Sequence, residues 1–122
     1  MPEIHSYTDI LMFLDEAPRT FTPGQVVFEA GSAASEMFIV REGEVILKHG
    51  EIVLEKVGPG GMFGEMALID PAPRSATAIA GEGLKLAVVD ERMFKMLVQK
   101  VPGFALELMR LMVRRLRREL DR

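Results

Sequence analysis

Between Arg19 and Asp90 the chain is a series of short runs rich in Val, Ile, Leu and Phe, cut apart by Gly and Pro. Val26-Val27-Phe28 ends at Gly31. Met37-Phe38-Ile39-Val40 ends at Glu42-Gly43. Val45 to Lys48 turns at His49-Gly50-Glu51, and Ile52-Val53-Leu54 runs on to Gly58-Pro59-Gly60-Gly61. Ser75 to Ala80 and Leu84 to Val89 flank Gly81-Glu82-Gly83. Pro presets one residue of a turn and Gly permits the positive φ that turns such as Thr22-Pro23-Gly24 require. Short strands at this spacing specify an antiparallel sandwich or barrel, not alternating strand and helix units.

Helices flank this region. Ser6, with an acid three residues on, starts a short helix carrying Ile10, Leu11, Phe13 and Leu14 and ending before Pro18. Asp90 caps a helix over Glu91 to Lys100, which Val101-Pro102-Gly103 breaks. A further helix runs from about Phe104 to Leu120. The expected fold is therefore mainly β with flanking α: a jelly-roll-like barrel (a double-stranded β-helix), an N-terminal helix and two C-terminal helices. One domain is expected over residues 1–122, with the helical segment at 1–18, the barrel at 19–90 and the C-terminal helices at 91–122.

Composition narrows the function. No cysteine is present, which removes disulfides and thiol chemistry. The longest apolar run, Ile10 to Leu14, is far short of the roughly 20 residues that span a bilayer. The N-terminus lacks a secretory signal pattern, so a cytoplasmic location is expected. The net charge is −3, yet Phe104 to Arg122 carries six arginines against three acids. An acidic body with one basic helix does not make a broad phosphate-gripping surface, so direct DNA binding is not expected. A metal enzyme on this type of barrel needs clustered histidines, and only His5 and His49 occur. No serine sits at a strand–helix elbow beside a histidine. The chain is expected not to be an enzyme and to need no cofactor.

The chemistry-bearing segment is Gly58 to Ala78. Gly64 lets the backbone approach a partner closely. Glu65 to Ile69 makes one helical turn ending before Pro71, and Arg74 offers a donor fork suited to phosphate. One acid and one base at this spacing can face a small anionic ligand that also carries a hydroxyl. An ordinary Gly/Pro loop with a Glu65–Arg74 surface ion pair has the same spacing.

Phe63-Gly64-Glu65-Met66-Ala67-Leu68 followed by Pro73-Arg74-Ser75-Ala76-Thr77-Ala78 resembles the phosphate-binding cassette of the cyclic nucleotide-binding domain family. That family includes the catabolite activator, the regulatory subunits of cAMP-dependent kinases and cyclic-nucleotide-gated channels. The Gly31, Met37 to Val40 and Gly43 spacing and the helix–barrel–helices order are also similar.

The resemblance implies that Gly64 and Glu65 contact the ribose 2′-hydroxyl and that Met66 and Ala67 give backbone contacts to the sugar phosphate. It implies that Arg74 binds an exocyclic phosphate oxygen and that Ser75 reaches phosphate or base, with Ala76 beside them. Leu47 matches a base-contacting position. The ligand is expected to be cAMP rather than cGMP, with cGMP open. Ser32 departs from the acidic or amide residue usual after the first Gly, in a loop distant from the cassette in sequence. The catabolite activator continues into a helix-turn-helix where this chain stops at Arg122, so the resemblance supplies a sensor whose effector protein is unidentified.

On the last helix, Met109, Met112 or Val113, Leu116 and Leu120 form a stripe that packs on the barrel or on a partner helix, giving a homodimer. Arg110, Arg114 and Arg118 lie on one face. They are either solvated or, for Arg110, placed to cap a bound base. The alternative to a nucleotide sensor is a non-binding interaction module that keeps the fold.

Overall fold

The computed structural model describes residues 17–120, with side chains through Arg118. The expected helix after Ser6 lies outside the described residues. Eight strands follow: β1 (Arg19–Thr20), β2 (Val26–Phe28), β3 (Glu36–Glu42), β4 (Val45–His49), β5 (Ile52–Val57), β6 (Met62–Phe63), β7 (Thr77–Ala80) and β8 (Lys85–Asp90). Among the described residues three helices accompany them: α1 (Met66–Ile69), α2 (Glu91–Lys100) and α3 (Phe104–Leu120). The strands form two four-stranded antiparallel sheets, β1-β8-β3-β6 and β2-β7-β4-β5. This interleaved order is that of a jelly roll.

β3 explains the packing. Its four central residues, Met37 to Val40, are all buried, so the run is apolar without alternation because both faces of the strand are covered. Phe38 and Val40 point between the sheets, where they pack with Val45, Val57, Phe63, Ala78, Leu84 and Leu86. Met37 and Ile39 point outward and pack with Val89, Leu97, Val101, Phe104 and Leu108. One strand thereby ties the barrel interior to the C-terminal helices. At the end of β3, Gly43 has φ +76°, and a Cβ there would collide with the backbone at Glu82 and Gly83, so the β3–β4 turn can nest against the β7–β8 turn only with glycine.

The helices begin and end where the sequence places them. The Asp90 carboxylate accepts from the Met93 amide over 2.8 Å and caps α2. Val101 and Phe104, both fully buried, anchor the break between α2 and α3. β1 and β6 are two-residue strands that no sequence pattern announces. β7 starts at Thr77 rather than Ser75, because Ser75 and Ala76 line a cavity instead of joining the ladder.

The stripe on α3 divides in two. Phe104 and Leu108 are buried on the barrel, with Leu111 and Met112 packed against the same cluster. Met109, Val113 and Leu116 are exposed at 54%, 44% and 60%, and they border the cavity.

Candidate functional site

A cavity of about 970 Å³ opens between α1, the β4–β5 hairpin and α3. That is the size range of small-molecule sites. Of the sequence-predicted site residues, Leu47, Gly64, Glu65, Met66, Ala67, Arg74, Ser75 and Ala76 all line it. Arg110 does not. It pairs with Glu107 one turn back, over 3.2 Å, on an exposed part of α3. The helix instead presents Met112, Arg115, Leu116 and Arg118 to the cavity, together with Met109 and Val113.

Arg74 is built into the floor. Its side chain lies with the guanidinium carbon 4.1 Å from the Phe28 ring centroid, and Phe28, Phe38 and Phe63 form one aromatic cluster with centroids 5.2–6.0 Å apart. One terminal nitrogen donates to the Gly64 carbonyl over 2.9 Å and the other to the Glu36 carbonyl over 2.7 Å. Nε is buried without a hydrogen-bond partner. Burial draws the guanidinium below its ordinary value, opposed by Glu36 and Glu65. A buried guanidinium held by two neutral carbonyls has the chemistry to take an anionic partner.

Gly64 makes this approach possible. Its φ is +75°, and a Cβ there would stand 2.7 Å from Arg74 Nη1.

Glu65 is 3% exposed. It occupies the N-cap position of α1, yet its side chain makes no cap bond, because Oε1 accepts from Arg115 Nη1 over 2.8 Å. With Glu65 and Arg74 both buried, the surface ion-pair reading of these two residues does not hold.

The Ser32 loop is also nearer than its sequence position indicates. The Arg74 amide donates to Ser32 O over 2.9 Å, and the Gly31 amide to Arg74 O over 2.7 Å. The loop therefore sets the backbone of Arg74, and Ser32 takes part through its backbone carbonyl, which any residue type supplies.

Arg115 and Glu55 were not singled out from the sequence. Arg115 and Arg118 continue the barrel-facing stripe of Leu108 and Leu111 at steps of three and four residues. A charge on such a stripe requires a buried partner, and that was the available signal. Arg115 meets Glu55 and Glu65 together. These carboxylates outweigh burial and raise its guanidinium above the ordinary value.

The family model for the cyclic nucleotide-binding domain matches residues 18–101. The chain belongs to this family. Among cyclic nucleotide-binding proteins, the cyclic AMP receptor protein of Thermus thermophilus is 33% identical over 104 residues, covering 81% of this chain and 48% of that protein. The crystal structure of the Thermus thermophilus catabolite activator protein is similar at a TM-score of 0.79 and 31% identity, over 96% of this chain and 59% of that one. The cGMP-bound form of an EAL enzyme is similar at a TM-score of 0.64 and 34% identity, over 85% of this chain and 29% of that one. The chain spans about half or less of the length of the curated relatives it matches. No helix among the described residues is long and apolar enough to cross a membrane.

Proposed function

We propose that the chain is a regulatory module that binds a cyclic mononucleotide, cAMP in preference to cGMP, and signals through α3. The observation that carries this reading is Arg74: buried, fixed by two neutral carbonyls, and lining the cavity that Glu65 also lines. The cyclic phosphate brings one negative charge to Arg74. Glu65 gives Oε1 to Arg115 and keeps Oε2 for the ribose 2′-hydroxyl. Met66, Ala67, Ser75 and Ala76 complete the sugar-phosphate side. The base lies against Leu47 and the exposed apolar side chains of α3. The Thermus relative named for cyclic AMP favours the adenine nucleotide, and the cGMP-bound neighbour is the reason to titrate both.

Signalling follows from the anchoring of α3. Phe104 and Leu108 fix its first turns in the core, whereas its later turns are held chiefly through Arg115 and Arg118. Nucleotide binding at Glu65 therefore acts on the later turns. A ligand shifts this equilibrium only through tighter binding to the docked helix. The module is proposed to bind without turnover, in the cytoplasm, to pass its signal to an effector, and to make no direct contact with DNA itself.

Calorimetric titration with cAMP and cGMP, beside Arg74→Ala, tests the reading. Micromolar or tighter binding to cAMP, lost in the variant, is expected. Absence of heat with both nucleotides, on protein checked to be free of co-purified ligand, overturns it. A second reading is favoured by Leu106, Met109, Val113 and Leu116, exposed at steps of three and four along α3. Such a stripe suits a second copy of the helix. Light scattering on the chain and on Leu116→Arg distinguishes a dimer, which the variant would dissociate, from a monomer.

A further inference from the structure

Glu55 lies on β5 directly across from Leu47 on β4, so the two share one face of the hairpin and both line the cavity. Its carboxylate gathers two arginines from consecutive turns of α3. Arg115 Nε donates to Oε1 over 3.0 Å and Nη2 to Oε2 over 3.3 Å. Arg118 Nη2 donates to Oε1 over 2.6 Å, and its Nη1 to the Leu54 carbonyl over 3.2 Å.

The paired contact of Arg115 with both carboxylate oxygens fixes the plane of its guanidinium. That leaves Nη2 to reach Met62 O over 2.7 Å and Nη1 to reach Glu65 over 2.8 Å. Glu55 and Arg115 side chains are only 22% and 17% exposed, so this cluster is shielded more than a surface ion pair. Glu65 contributes a single bond to α3, and Glu55 contributes three.

We infer that Glu55 is a positioning residue: it holds Arg115, and with it the later turns of α3, over the cavity before any nucleotide arrives. Glu65 then couples that docking to the ligand. The inference rests on the nucleotide-binding reading for its consequence, though the latch itself is a property of the nucleotide-free chain. Without Glu55 the later turns keep Glu65 as their one carboxylate partner, beside the Met62 and Leu54 carbonyls. Its docking then becomes strongly nucleotide-dependent, and ligand enters a more open cavity.

Hydrogen exchange on the nucleotide-free protein separates the two ideas. In Glu55→Gln, amides at residues 112–118 are expected to exchange roughly tenfold faster or more, with the first turns of α3 and the barrel unchanged. Arg118→Ala, which leaves the Arg115–Glu65 bond in place, should give a smaller change over the same residues. Unchanged exchange in Glu55→Gln overturns the inference, and so does an increase spread through the barrel. Stopped-flow mixing with N-methylanthraniloyl cAMP supplies the functional readout. Association and dissociation should both be faster in Glu55→Gln, and unaltered rates would count against the positioning role. If no cyclic nucleotide binds the unaltered protein, the function fails while the exchange result still decides the latch.

Discussion

Arg115 on the last helix donates to Glu65 at the start of the cassette over 2.8 Å, across a separation of 50 residues. The acid that faces the proposed sugar site is therefore also the acid that receives the helix. A carboxylate has two oxygens and can serve both partners at once. The proposed ligand and the helix would thus meet at one side chain, with no relay of intermediates between them.

Glu65→Ala should accordingly lose two properties together. The unaltered protein is expected to prefer cAMP over 2′-deoxy-cAMP by roughly 10- to 100-fold, because the deoxy ligand leaves a buried acceptor unpaired. In Glu65→Ala that ratio should fall close to one, and α3 should no longer gain exchange protection when cAMP is added. Retained discrimination by the variant, read by competition calorimetry, would remove Glu65 from the sugar site.

Arg74 should matter more for affinity than any other single residue. Truncation to Ala removes the counter-charge of a desolvated anion, costing roughly 2–5 kcal/mol, or a thirtyfold to several-thousandfold rise in Kd. Arg74→Lys keeps the charge but loses the fork that reaches Gly64 and Glu36 together, and it should fall between the two. Equal affinities for all three proteins by calorimetry would place the phosphate elsewhere.

Gly64→Ala tests the floor from the other side. A Cβ would meet Arg74 Nη1 at 2.7 Å and Phe38 Cδ2 at 3.5 Å, on a residue whose φ is +75°. The strain of a left-handed non-glycine residue is about 1–2 kcal/mol, roughly 3–10 °C in Tm for a chain of this size. Displacement of Arg74 should add at least a tenfold loss of cAMP affinity. A normal Kd with only a lowered Tm would show that Arg74 can shift without cost to binding.

What the sequence disclosed follows from how local each signal is. The six longer strands and the limits of α2 and α3 were legible because Gly, Pro and the Asp90 cap act within a few residues. The paired strands β1 and β6 were not, since a two-residue strand exists only through its partners: Arg19 opposite Leu86, and Phe38 opposite Phe63. The cassette residues that line the cavity were named because they form a contiguous motif with a familiar family pattern. Helical spacing alone groups Arg110 with Arg114 and Arg118 in one row and gives no reason to look at Arg115. Which of them faces the cavity depends on how α3 lies on the barrel, where Arg115 meets Glu55, sixty residues away. Phe28, the platform under Arg74, was read only as part of a strand, for the same reason.

The pH dependence of the α3 latch has a definite sign. Burial would raise the Glu55 carboxyl, but the hydrogen bonds from Arg115 and Arg118, with their charges, outweigh it and hold it below its ordinary value of 4.5. Glu65, the other acid on Arg115, keeps one bond to the same guanidinium. The unfolded chain therefore takes up a proton at Glu55 before the folded chain does. Stability from the cluster is complete above about pH 4.5 and is lost as pH falls through the lower folded value. Thermal melts of the unaltered protein and Glu55→Gln, followed by circular dichroism, should differ in Tm by a constant amount between pH 7 and pH 5. The two curves should converge as pH falls below the lowered folded value, where the carboxylate is protonated in both states and the acid behaves like the amide. A Tm difference that stays constant through the whole acid limb of the melts would mean that the ionised pairing contributes nothing to holding α3.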